Sequence, residues 1–387
     1  MEVKLQVEAV TPIFISGADQ RYIEYEGLRA PSLRGLMRWW FRAMIGGVKL
    51  SAGNLNIEES VRTEEGDLWG TTDQQSKVII RTSPLDVKIG EKHFKKRGEK
   101  YLGYGLPGRK CFLPRSKFQI SIDFNDMRLE ENERKRVAGT LWLMINFGNI
   151  GSKNRKGFGS LRIIKDAKIE DIVFKNPNNV EDFKEYLYTS MEKILDIFDY
   201  TISKTTGNLP LPSFPVLAPN FWKMKIVDKE CSSEDEAIDD MGEKIRKYRE
   251  EPSAIHTRTI KGKSFTYHVT KDYNAVKSIY SHDGASIPNN SIFGLPHQFQ
   301  FQSLNKKAVV KGTEHERRAS PLLIKIWKLD EKKYVIGLQL FKSLFLPEGK
   351  LRIADLENNN IYKDVDLPSF SSLENFLNRM PGWWILI

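Results

Sequence analysis

At 387 residues, with 60 Lys and Arg against 50 Asp and Glu and a net charge of +10, the chain is long enough for two cores. Its moderate cationic excess suits an anionic partner. Its two cysteines, Cys111 and Cys231, lie too far apart to suggest a disulfide framework or a zinc site, and no run of about 18 apolar residues marks a membrane span. The first residues have neither the basic start nor the apolar stretch of a secretory signal, so the expectation is a cytoplasmic protein with no membrane contact, no metal and no cofactor.

In chain order, residues 2–11 alternate as a strand with Val3, Leu5, Val7 and Ala9 on one face. Ser32 then caps a helix over 32–45, which Gly46 and Gly47 stop; 77–87 and 117–124 read as strands, 133–147 as a second helix and 161–164 as a closing strand. This β-α-β-β-α-β order is the ferredoxin-like plan, in which two helices cover one face of an antiparallel sheet and leave the other open, as in RRM-like modules that bind RNA. A helix over 181–202 and a Gly- and Pro-rich stretch over 205–215 lead into a second unit. There a strand (217–227), a helix (233–249), a hairpin (322–341), a helix (371–380) and a last strand (383–387) repeat the order, with a basic, polar insertion over 252–320. The expected class is α+β: two ferredoxin-like domains, 1–170 and 171–387, the second including the linker helix and the insertion.

Between the second helix and its following strand lies the most informative segment, 147–161. It holds Gly148, Gly151, Gly157 and Gly159 together with Lys153, Asn154, Arg155, Lys156 and Phe158. Glycines let backbone N–H groups converge on an anion, the cations supply charge, and Phe158 offers a ring for a base. The spacing is not that of a nucleotide-triphosphate loop: Gly157 follows Gly151 by six, Phe158 stands where the lysine would, and a strand rather than a helix comes next. The alternative is a flexible glycine-rich hairpin.

On the first helix Leu33, Leu36, Met37, Trp40 and Met44 share one face, while Arg34, Arg38 and Arg42 stack at i, i+4 and i+8 on another. Like charges at this spacing repel by about 0.2–0.5 kcal/mol per pair, a cost that a row of phosphates would reverse. Trp39 lies beside the arginines, where a base could stack on it. The alternatives are that the arginines pair with acidic residues on neighbouring elements and that Trp39 packs at a domain interface. Arg317 and Arg318, just before an apolar strand, form a second cluster suited to phosphate contact or to a solvated turn, and Ser291-Ile-Phe-Gly-Leu-Pro296 reads as packing. Six scattered histidines, His93, His256, His268, His282, His297 and His315, offer no constellation for catalysis; only His93 and His315 sit in basic sequence. In the acidic run over 234–240, Asp239 and Asp240 diverge by about 100° on a helix, which argues for a solvated face rather than a metal site.

The helix motif at 31–42, the glycine loop at 148–159, Ser291-Ile-Phe-Gly-Leu-Pro296 and Arg317-Arg-Ala-Ser-Pro321 together resemble the RAMP superfamily, and within it the first-subunit family of the Cmr module of type III-B CRISPR effectors. The resemblance spans essentially the whole chain. It implies two ferredoxin-like domains and a ribonucleoprotein in antiviral defence against invading RNA, with guide RNA, target RNA and other Cmr subunits as partners. It also implies a binding role rather than a catalytic one, with Arg34, Arg38, Trp39, Arg42, Lys153, Arg155, Lys156, Arg317 and Arg318 lining an RNA path. No glycine-rich loop precedes the last strand of the second half, only Arg379-Met-Pro-Gly-Trp383. The competing readings are a RAMP-type metal-independent endoribonuclease processing repeat RNA, for which no histidine stands at a transferable position, and a scaffold that binds only protein.

Overall fold

The computed structural model describes residues 2–17, 19, 23, 27–124, 129–201, 209–260, 263–281 and 286–387, of which 251–260, 263 and 265–268 are described by backbone alone. The side chains of His256 and His268, His282 and residues 205–208 of the Gly- and Pro-rich stretch lie outside the described residues. The molecule is mixed α/β, built on several antiparallel sheets.

In the first half, β1 (Glu2–Ala9), β2 (Val78–Asp86), β3 (Lys117–Phe124) and β4 (Leu161–Ile163) form one antiparallel sheet in the order β2-β3-β1-β4. Its register places Leu5 opposite Ile120 and Val7 opposite both Phe118 and Ile163, so the apolar residues of three strands share a face. Helices α1 (Ala30–Ser51), α2 (Ile57–Trp69), α3 (Arg97–Leu102) and α4 (Glu131–Phe147) complete this half. Two features of the sequence reading need correction here. Helix α1 runs through Gly46 and Gly47 to Ser51, and α2 was not anticipated. The glycines do not end the helix; they admit another segment against it. A Cβ at Gly47 would stand 2.0 Å from the Leu217 carbonyl oxygen, and the Leu217 N–H donates to Ala43 O at 2.8 Å.

The second half begins with α5 (Val180–Ile197), β5 (Trp222–Val227) and α6 (Glu234–Arg249); a two-stranded hairpin of Glu250–Ile260 and Lys263–Thr270 comes next, and then β6 (His297–Phe301) and β7 (Lys306–Gly312). The hairpin β8 (Leu322–Asp330) and β9 (Lys333–Phe341) comes next, then β10 (Leu351–Asp355), β11 (Tyr362–Val365), α7 (Ser371–Asn378) and β12 (Gly382–Ile385). Strands β8, β9, β5 and β12 pair in the order β8-β9-β5-β12, the same second-third-first-fourth arrangement as the first sheet. The stretch 252–320 is not self-contained. Its strands β6 and β7 need β10 and β11, from beyond the hairpin, to complete a sheet in the order β6-β7-β10-β11.

Of the two sheets that share this strand order, the first has the expected open face, where Lys4, Gln6, Arg81 and Gln119 lie on one side of β1, β2 and β3 with no aromatic among the outward residues of those strands. A face without rings is a poor platform for bases. In the second half β8 and β9 are buried almost throughout, on both faces. One face, with Leu322, Ile324 and Ile336, joins residues of α6 and α7; the other, with Trp222, Trp327 and Phe341, joins the core of the first half. Among the described residues no helix is long and apolar enough to cross a membrane.

Candidate nucleic-acid interface

The glycine loop is fixed to the second half from its first residue. Helix α4 ends at Phe147, and its last carbonyls are met by side chains from the opposite sheet. The buried Lys325 ammonium on β8 donates to Ile145 O at 2.7 Å, Gly148 O at 2.8 Å and Leu161 O at 3.3 Å, and Gln339 Nε2 donates to Phe147 O at 2.6 Å. Burial holds the Lys325 pKa well below the usual lysine range. The loop then runs along β8, the edge strand of its sheet: Asn149 Nδ2 donates to Ile324 O at 2.8 Å, Ile324 N to Arg155 O at 3.1 Å and Ile326 N to Ser160 Oγ at 3.2 Å. An exposed sheet edge is thereby covered, and the flexible-hairpin alternative does not hold. Gly159 is obligatory in this packing, with φ +80° and the Ile150 carbonyl oxygen 1.8 Å from where a Cβ would be.

Part of the expected amide cradle is engaged inside the protein. Within the loop, Ile150 N donates to Gly159 O, Ser152 N to Phe14 O, Lys156 N to Lys153 O and Gly159 N to Pro12 O. These four donors are satisfied inside the protein and are not open to an anion.

The side chains of the loop open into a cleft of about 780 Å³ between the halves. Its cations are Lys100, Lys153, Arg155, Lys156, Arg249 and Arg318, and no carboxylate lines it among the described residues. The two late motifs meet along one wall, because Leu295 N donates to Arg318 O at 2.8 Å and Arg318 N to Leu295 O at 3.3 Å. Arg318 donates through Nη2 to Ser343 Oγ at 2.9 Å, and Arg249 through Nη2 to a ring nitrogen of His297 at 3.0 Å; the Nε atoms of both arginines are buried without a hydrogen-bond partner. Burial pushes Lys156 down to about 7, helped by Arg249, Lys153 and Arg155, and pushes Arg155 down to about 10, helped by Arg318. Burial, with Arg249 and Lys156, likewise holds His297 well below the usual histidine value. Converging cations that depress one another form a site short of negative charge, which an anion would supply.

A sequence profile of the RAMP superfamily matches residues 6–162. The CRISPR system Cmr subunit Cmr1-2 of Pyrococcus furiosus is 33% identical over 189 residues, 42% of this chain and 95% of that one. The chain belongs to the Cmr1 family of RAMP proteins. Cmr1-1 of the same organism is 24% identical over 395 residues, 98% of each chain. The crystal structure of apo Cmr1 from Pyrococcus furiosus matches this fold with a TM-score of 0.57 at 21% identity, covering 99% of this chain and 98% of that one. A chain in a cryo-EM structure of the type III-B Cmr-beta complex bound to cognate target RNA matches with 0.53 at 15% identity, covering 97% of each.

In this Cmr1-family fold the cleft gathers Lys153, Asn154, Arg155, Lys156 and Arg318 from the sequence-derived candidates, with exposed Arg317 next in the chain. The α1 ladder stands elsewhere. Arg38 Nε and Arg42 Nη1 both donate to Glu65 Oε1, at 2.5 and 2.6 Å, so the pairing alternative describes these two arginines. Arg34 is half-buried with its Nε unpartnered. Trp39 packs edge-on to Trp40 and to Phe341 of the other half, with the Arg155 guanidinium 5.5 Å above its ring; this is the interface alternative rather than a free stacking surface. Phe158 is wholly buried, edge-on to Phe14 and Phe94, and has no face for a base. Gly151 turns over the Phe14 carbonyl on the far side of the loop, lining a separate hollow with Ser32 and Arg109. Arg249 and His297 were missed as cleft residues. Neither lies in a local cationic pattern that would single it out, although Arg249 ends a helix whose final turn is basic.

Proposed function

We propose that this chain is a non-catalytic RNA-binding subunit of a type III-B CRISPR ribonucleoprotein effector, working in the cytoplasm with other Cmr subunits and holding the backbone of guide or target RNA in the cleft between its halves. The carrying observation is the convergence of Lys153, Arg155, Lys156, Arg249 and Arg318 in a cavity without a carboxylate. Phosphates placed among these cations would relieve their mutual repulsion. Membership of the Cmr1 family, and a fold shared with a chain of a target-RNA-bound complex, support the same reading. The matching strand orders of the two main sheets, each with its two connecting helices, support two ferredoxin-like units, 1–170 and 171–387, although their cores interpenetrate.

The endoribonuclease reading gains a histidine in the cleft but little chemistry. His297 is engaged by Arg249 and disfavours taking a proton, which makes it a weak general base. Arg38 and Arg42, engaged with Glu65, are outside the proposed phosphate path. Binding of single-stranded RNA measured against salt tests this. About five phosphate contacts give a slope of log K against log salt near −3.5, and Lys156→Ala and Arg318→Ala each flatten it by about 0.7 while Arg38→Ala leaves it unchanged. A flat response, or a specific cut of repeat RNA in EDTA, would overturn the proposal.

A further inference from the structure

With Trp39 packed and Phe158 buried, neither ring expected to stack a base is free, yet the cleft presents another. Its lining divides by chemistry. The glycine loop, Arg249 and Arg318 are cationic, whereas the end of α3 and the turn after it contribute Tyr101, Leu102 and Tyr104 beside Lys100, and Leu295 and Pro296 add further apolar surface. Tyr104 is 78% exposed, an unusual position for so large an apolar ring.

The turn that carries it is firmly anchored. Leu102 and Leu106, two residues to either side, are buried in the core. Gly103 N donates to Glu99 O at 2.8 Å and Leu106 N to Gly103 O at 2.9 Å, so Tyr104 stands inside a closed turn. Helix α3 itself is fastened to α6, with Gly98 N donating to Asp239 Oδ1 at 2.9 Å. Below it, Tyr101 accepts a hydrogen bond from Arg249 Nη1, which ties the aromatic wall to the cationic one. A ring held outward on a rigid turn loses little conformational entropy when a planar partner covers it.

We propose that Tyr104 is the base-stacking surface of the cleft, receiving the base of a single-stranded RNA nucleotide whose phosphate is held by the facing cations. This rests on the reading of the cleft as an RNA site. Stacking without hydrogen-bond readout is indifferent to sequence, because every base has a π-face. The cleft would therefore prefer unpaired RNA over a duplex without selecting a motif.

The test compares full-length wild type, Tyr104→Ala and Tyr104→Phe on a uridine oligomer and on an abasic ribose-phosphate oligomer of the same length. Tyr104→Ala should weaken binding of the uridine oligomer by about tenfold with the salt slope unchanged, Tyr104→Phe should bind as wild type, and both should match wild type on the abasic oligomer. Photocrosslinking of 5-iodouridine RNA should label the peptide containing Tyr104. If Tyr104→Ala binds the uridine oligomer as wild type while Lys156→Ala and Arg318→Ala still flatten the slope, stacking at Tyr104 is wrong and the phosphate site stands. Equal losses on the abasic oligomer would also overturn stacking. If neither the tyrosine nor the cation variants change binding, RNA lies elsewhere and both readings fall.

Discussion

Lys156 stands near Lys153, Arg155 and Arg249, and its burial, with these cations beside it, pushes its ammonium down to about 7. A bound phosphate would restore an ordinary lysine value by supplying the missing opposite charge, so binding above that pH takes up a proton. The sign follows directly. Affinity is fully expressed below the free value, where Lys156 is already charged, and declines as pH rises through it, with log Kd increasing by about one per pH unit. Of the other cleft groups, His297 is held well below the window and Arg155 is pushed down only to about 10, while Lys153, also lowered by burial, is set apart by the Lys156→Arg comparison. Titrating RNA binding across this range should show the decline in wild type and its loss in Lys156→Arg, whose guanidinium stays charged. A pH-independent wild type would remove Lys156 from the phosphate site. Lys153, Arg155 and Lys156 were legible in the sequence because they cluster locally. Tyr104, Arg249 and His297 were not, since the cleft assembles them from segments distant in the chain.

At the scale of elements, helices and strands with regular apolar periodicity read well: β3 has the predicted limits, and α4 and α6 agree within two residues. Failures came where tertiary contact gives a residue a meaning that its local pattern lacks. Gly46 and Gly47 look like a helix stop but sit inside α1 because segment 214–217 presses on them. The unanticipated α2 carries Glu65, and without it Arg38 and Arg42 seem to want an external anion. This predicts opposite signs for one substitution at two positions of α1. Gly35→Ala, with nothing within 4 Å of the new methyl, should stabilise by up to about 1 kcal/mol through helix propensity. Gly47→Ala gains the same propensity but drives Cβ to 2.0 Å from the Leu217 oxygen, and should destabilise by about 1–3 kcal/mol net. Denaturant midpoints of the two variants decide the matter; stabilisation by both would show that the 214–217 contact yields at no cost.

At the scale of the molecule, the two halves repeat a strand order but do not divide the core between them. Phe14, Leu102 and Phe158 of the first half lie in one cluster with Ile324 and Leu338 of the second, while Trp222, Trp327 and Phe341 join the cluster of the first. The sequence suggested two separate cores because periodicity reports which face of an element is apolar but not which neighbour covers it. Lys325 joins the halves at the point where the RNA-facing loop begins. Replacing it with methionine keeps the length but leaves the carbonyls of Ile145, Gly148 and Leu161 without this donor in a dry interface. An unmet buried acceptor costs about 1–3 kcal/mol, while lifting the burden of a buried ammonium returns part of that, so a net loss of about 2–4 kcal/mol is expected for the three. Because both clusters cross between the halves, Lys325→Met should shift one cooperative transition rather than split it, with tryptophan fluorescence and far-ultraviolet circular dichroism moving together. RNA affinity should fall as well, since the cations at 153–156 depend on where the loop is pinned. Two resolved transitions in the wild type, or unchanged stability in Lys325→Met, would mean that the halves are held together by something other than this junction.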